Sequence, residues 1–129
     1  MNLSPAKGYL YTFLFAFCSL GYEFIFIKTS VLIQGGQIDK YNLIVSLFTF
    51  SLGIGALAAD KIRPGNEVRG LFNIEVLLCL SATFGPVIAI YFQSAILCQL
   101  FIIIVGFLSG FELPLLFKIF FKLTQTTGQ

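Results

Sequence analysis

The sequence predicts an all-α protein, an integral membrane four-helix bundle with both termini cytoplasmic. Three observations carry that expectation. Hydrophobic residues make up 57% of the 129-residue chain and charged residues only 11%, with a mean hydropathy of +0.93. The apolar residues fall in four runs, each long enough to cross ~30 Å of hydrocarbon as a helix rising ~1.5 Å per residue. Between the runs lie short stretches rich in glycine, proline and charge, the composition of turns. Together these predict a single transmembrane domain over residues 1–129, with spans at about 9–33, 43–59, 71–92 and 96–121, and no separate soluble domain.

The first run, Tyr9 to Ile33, follows a short polar lead containing Pro5 and Lys7. It is longer than the apolar part of a secretory signal and is followed by no small-residue cleavage site, so it reads as a retained span. Thr12, Ala16, Ser19, Glu23 and Ser30 lie along one helical face, predicted to meet protein. Lys28 points the other way, near the far end, where its stem can carry the ammonium to the headgroups. Gln34 to Asn42, Q-G-G-Q-I-D-K-Y-N, is a predicted turn. The second span ends in small residues: Ser51, Gly55 and Ala59 form a row at four-residue spacing, with Gly53 beside them, which suits close helix packing. Asp60 to Gly70 is the one substantial hydrophilic loop.

The third span places Glu75 about one turn inside, in line with Cys79, Ala82 and Pro86. Pro86 has no amide hydrogen, so the carbonyl of Ala82 loses its usual partner. Phe92 to Ala95 is a tight connection. The fourth span carries the densest group of special residues, Gly106 to Lys118, G-F-L-S-G-F-E-L-P-L-L-F-K. Gly106 and Gly110 share a face and let a neighbouring backbone approach. Glu112 follows within a turn, and Pro114 frees the carbonyl of Gly110 at membrane depth. Lys118 and Lys122 end the span, and T-Q-T-T-G-Q forms a frayed polar tail.

Cys18, Cys79 and Cys98 lie inside apolar runs without paired spacing, which argues against a disulfide framework or a zinc site. They are expected to be small core residues, and no metal or cofactor is expected. A net charge of +2 without a Lys/Arg run gives no basis for nucleic-acid binding. Basic residues set the orientation. In a four-span bundle Lys7, Lys61, Arg63, Arg69, Lys118 and Lys122 share one face, against Lys40 and Lys28 on the other; six against two makes the termini cytoplasmic. The expected location is the inner (plasma) membrane, multi-pass.

Each intramembrane acid costs roughly 2.5 to 3.5 kcal/mol on insertion scales, so Glu23, Glu75 and Glu112 need a reason. Three readings stay open. The carboxyls bond to one another and to the freed carbonyls and fix helix register, they form a cation or proton site, or they contact a partner subunit.

Several stretches then resemble successive motifs of membrane-anchored spermidine synthases: L-G-Y-E-F (Leu20 to Phe24), Q-G-G-Q-I-D-K-Y-N-L-I-V-S-L-F-T-F-S-L-G-I-G (Gln34 to Gly55), N-I-E-V (Asn73 to Val76) and G-F-E-L-P-L-L (Gly110 to Leu116). Tyr22, Glu23, Gly53, Gly55, Glu75, Gly110, Glu112 and Pro114 match the membrane part of that family. The family's soluble aminopropyltransferase domain has no counterpart here, so the resemblance implies a membrane module and no enzyme. No histidine and no reactive cysteine setting offers another chemistry.

The sequence therefore leads to a non-catalytic module, either an accessory subunit of a membrane assembly or a handler of a small cation such as a polyamine. Glu23, Glu75, Glu112 and Tyr22 are the candidate ligand-binding residues; Gly53, Gly55, Gly106, Gly110 and Pro114 are the candidate packing residues. The expected partners are the lipid bilayer, other membrane subunits or further copies of the chain, and a polyamine. A small multidrug-resistance-type cation exporter is the alternative, since such proteins have four spans and an essential acid in the first. The charge bias, the lack of tryptophan, and Glu75 and Glu112 count against it.

Overall fold

The computed structural model of the protein describes residues 5–36, 38–62 and 65–127. Four helices account for nearly all of them: α1 (Pro5–Gln34), α2 (Ile38–Ala58), α3 (Glu67–Tyr91) and α4 (Ala95–Thr127), with a 3-10 turn at Ala59–Lys61 between α2 and α3. All four are long and apolar enough to cross a membrane. Arg63 of the basic count, the turn residues Gln37 and Pro64, and the extreme ends of the lead and the tail lie outside the described residues.

The helices reach beyond the apolar segments because helix propensity does not stop where hydropathy does. Gln34 to Asn42 is expected to be a turn, yet α2 already begins at Ile38. The reversal is confined to the residues around Gly35, which takes a left-handed φ of 76°. That conformation lets the Gly35 amide bond the Val31 carbonyl at 3.0 Å, and the Lys40 ammonium donates to the Gln34 carbonyl at 3.0 Å, so the orphan carbonyls at the end of α1 are met. The hydrophilic loop after α2 is likewise shorter than expected, because α3 takes in Glu67 to Gly70. The polar tail is helical as far as Thr127, where α4 ends; Gly128 and Gln129 lie outside the described residues. Pro86 and Pro114 both sit inside continuous helices, as transmembrane helices allow.

α4 is the central helix, packed most extensively against α2 and α3 and also against α1. Its inner stripe, Cys98, Ile102, Val105, Ser109, Glu112 and Leu116, is buried and repeats at three- and four-residue intervals, the spacing of one helix face. Phe26, Ile44, Phe48 and Leu78 close on it from α1, α2 and α3. The α2 contact is the tightest: Gly106 lies where an added Cβ would stand 2.7 Å from the Phe48 carbonyl oxygen. Ser51, Gly55 and Ala59 are all buried, as their row predicts.

The outer surface stays apolar, with Phe13, Phe17, Phe24, Phe50 and Phe84 all exposed, the pattern expected where lipid is the solvent. Four hydroxyls are met inside their own helices: Thr12 donates to the Gly8 carbonyl at 3.1 Å, Thr29 to Ile25 at 2.9 Å, Thr49 to Val45 at 2.9 Å and Ser51 to Leu47. Two expectations need correction. Gly53 is exposed and a Cβ there would touch nothing within 4 Å, because two residues turn a helix roughly 200° and Gly55 holds the inner face. Of the cysteines only Cys98 is buried, while Cys18 and Cys79 are exposed; a thiol is a small hydrophobe, so an apolar neighbourhood in sequence does not say whether it faces protein or lipid.

Candidate functional site

Glu75 and Glu112 meet where α1, α3 and α4 converge. Glu112 belongs to the inner stripe of α4 and is only 3% exposed. Glu75 is half-buried beside Ile74, which heads the inner face of α3 continued by Leu78 and Ala82. The two carboxyls lie within hydrogen-bonding reach of one another. Both are acceptors when ionised, so that contact becomes a hydrogen bond only with a proton between them.

α1 supplies two polar groups, Ser19 and Tyr22, which stand three apart and so share a face. The Ser19 hydroxyl donates to Glu112 Oε2 at 3.3 Å. Tyr22 is half-buried, and its phenol lies close enough to Glu75, Glu112, Cys18 and Cys79 to interact electrostatically with all four. Among the described residues, two buried side-chain polar atoms have no hydrogen-bond partner, Glu75 Oε1 and Ser109 Oγ. Ser109 stands one turn deeper than Glu112 on the same face of α4.

Of the four candidate ligand-binding residues, the structure brings together Tyr22, Glu75 and Glu112 and leaves Glu23 apart. Glu23 follows Tyr22 by one residue, about 100° around the helix, and is half-buried with no contact to the pair among the described residues. The polar stripe of α1 faces protein only in part: Ser30 is buried, Thr12, Ser19 and Glu23 are half-buried, and Ala16 and Lys28 are exposed. Among the packing candidates, Gly55, Gly106 and Gly110 abut the backbone of the facing helix, and Pro114 is half-buried one turn beyond Gly110. Ser109 is not distinguished in the sequence, because one serine in an apolar run carries no signal of its own.

A second polar cluster closes the end of the bundle nearest the pair. Lys118 bridges Asp60 at 3.1 Å and donates to the Ala59 carbonyl at 3.3 Å; Lys122 bridges Glu67 at 2.5 Å. Glu67 also accepts the Gly65 amide at 2.9 Å, tying the loop to the start of α3. These four charged residues frame an open cleft floored by Ile62, Phe117 and Phe121. The signal for these pairs was the placement of opposite charges at the ends of neighbouring antiparallel spans. Counting helix residues at ~1.5 Å each, the Glu75–Glu112 pair lies roughly 12 to 15 Å inward of the Lys122–Glu67 bridge.

The chain is similar to polyamine aminopropyltransferases. It is 26% identical over 124 residues to the polyamine aminopropyltransferase of Leptospira interrogans, covering 91% of this chain and 24% of that protein. In Streptomyces coelicolor, polyamine aminopropyltransferase 1 is 30% identical over 115 residues (83% of this chain, 21% of that protein). Polyamine aminopropyltransferase 2 of the same organism is 26% identical over 120 residues (83% and 22%). The chain thus spans about a fifth to a quarter of the length of the curated relatives it matches. No family model matches the chain, and no solved structure does.

Proposed function

We propose that these four helices form a non-catalytic membrane module that holds a small organic cation, a polyamine, at Glu75 and Glu112, with both termini on the cytoplasmic side of the plasma membrane. The observation that carries this reading is the meeting of two carboxyls inside apolar spans. Two acids facing one another away from water repel when ionised, and a bound ammonium turns that repulsion into attraction, stronger here than in water because the local dielectric is low. Ser19 holds Glu112 by its hydrogen bond from α1, with Tyr22 beside it. The similar proteins are polyamine aminopropyltransferases, which supports a polyamine as the cation.

The test is calorimetry of the purified protein in detergent with spermidine. Binding by the parent and its loss in Glu112→Gln, with the melting temperature kept, is the expected result. Absence of binding by the parent sinks the reading.

A second reading, an accessory subunit of a larger membrane assembly, is favoured by a row on the outer side of α2. Asn42, Ser46, Thr49 and Gly53 are all exposed at three- and four-residue spacing. Polar and small side chains facing hydrocarbon suit contact with another helix. If a partner helix lies there, Ser46→Leu lowers the mass of the detergent-extracted complex in native mass spectrometry; an unchanged mass removes this reading.

A further inference from the structure

The geometry of the Glu75–Glu112 pair also fixes how a cation can enter it, an inference that rests on the polyamine reading. A proton between the facing carboxyls engages one oxygen of each. Ser19 already donates to Oε2 of Glu112, so while the proton is held few carboxyl oxygens are free to accept. An ammonium head brings three N–H donors, and a single acceptor cannot satisfy them where water is excluded. Departure of the bridging proton frees an oxygen on each carboxyl. Together with the unpartnered Ser109 hydroxyl one turn deeper, these oxygens give an ammonium head the acceptors it needs.

Charge favours the same exchange. With its proton the pair carries one net negative charge; with both carboxylates ionised around one ammonium it again carries one. The cation therefore enters without changing the net charge held inside the apolar bundle, whereas two carboxylates with no cation would add one. We propose that the pair is an exchange site at which one primary ammonium head and one proton compete for the same carboxyl oxygens, so that each head bound releases one proton to solvent.

The other titratable group beside the pair is Tyr22 of α1; Cys18 and Cys79 lie near Tyr22 but are exposed. α4 presents Glu112 itself. The ionisable residues of α2, namely Asp39, Lys40 and Tyr41, lie in its first turn, at the opposite end of the bundle from the pair.

The experiment is titration calorimetry of the full chain in detergent with spermidine, run at neutral pH in phosphate and in Tris, whose ionisation heats differ. The difference in observed heat counts protons, and the expected count is about one released per spermidine bound. The apparent affinity rises with pH, by up to about tenfold per pH unit, wherever the free protein holds the bridging proton. Binding with equal heats in both buffers and no pH dependence overturns the exchange and leaves the polyamine site standing. Absence of binding overturns the polyamine reading and the exchange with it. In Glu75→Gln/Glu112→Gln no carboxyl is left to hold either proton or ammonium, so binding and proton release should both be lost; binding with proton release by a double variant that melts like the parent overturns the proposal. If that variant fails to fold, the two-buffer comparison on the parent decides alone.

Discussion

A Cβ added to Gly110 would stand 3.0 Å from the Cα of Gly55 and 2.9 Å from the amide nitrogen of Ala56, so α2 and α4 touch backbone to backbone at these two glycines. A Cβ on Gly55 would in turn strike the Phe107 carbonyl. Contacts of this kind leave no flexible side chain to move aside, and the helices themselves must part.

Gly55→Leu and Gly110→Leu should therefore each destabilise the bundle by about 1–3 kcal/mol or more, the range for overpacking a filled core. Gly53→Leu, two residues away on the open face, should stay within about 0.5 kcal/mol of the parent. Thermal melts in detergent separate the two cases. Equal melting for all three variants would mean that α2 and α4 do not meet on this face.

The polar end of the bundle makes a different demand. Glu67 accepts from both Lys122 and the Gly65 amide, and hydrogen bonding to both holds its carboxyl below the usual carboxylate range. A depressed value means that the stabilisation is present at neutral pH and fades as the carboxylate is protonated in acid. Glu67→Ala should lower the melting temperature at neutral pH more than Asp60→Ala does, since the Asp60 side chain is 78% exposed. The gap should close toward about pH 3 as carboxylates are neutralised. A gap that widens in acid would contradict the role given to this ion pair.

Topology can be read directly. The six-to-two basic bias predicts that reporter fusions at Gly65 and after Gln129 report the cytoplasm, while a fusion at Gly36 reports the opposite side. An external readout at Gly65 would reverse the orientation, and the Glu75–Glu112 pair would then lie nearest the outer face.

How much of this was legible in the sequence differs between levels. Four apolar runs and their order are a property of composition, and they return as α1 to α4. Gly55, Gly106 and Gly110 were legible as close contacts because spacing places them on a face and small size allows approach. Gly53 was not separable from them, since composition alone does not say which way a helix is turned. The same gap explains the acids. Glu23, Glu75 and Glu112 look alike as charges in apolar runs, and only the rotation of α1 puts Tyr22 and Ser19 at the pair and carries Glu23 off it. Cys18 and Cys79 face outward for a related reason, because a thiol suits lipid and core equally. The helix ends were misjudged where polar residues such as Asp39, Lys40 and Glu67 extend a helix past its apolar part, which hydropathy does not register.

That rotation of α1 lets one pair of substitutions choose between the cation readings. Glu112→Gln keeps the shape and hydrogen-bonding capacity of the side chain, including acceptance from Ser19, and removes the charge. If the pair holds a polyamine, this change should abolish spermidine binding while melting stays near the parent. If the carboxyls serve only to fix helix register, the amide should replace a protonated acid with little effect, and there should be no binding to lose. Glu23→Gln should leave spermidine binding unchanged, since Glu23 makes no contact with Glu75 or Glu112. An exporter of lipophilic cations requires the opposite: resistance conferred by the parent should vanish in Glu23→Gln and survive in Glu112→Gln. Growth assays against such cations, run beside calorimetry on the same two variants, give each reading a different pattern of loss. A parent that neither binds spermidine nor confers resistance would remove both and leave the accessory-subunit role.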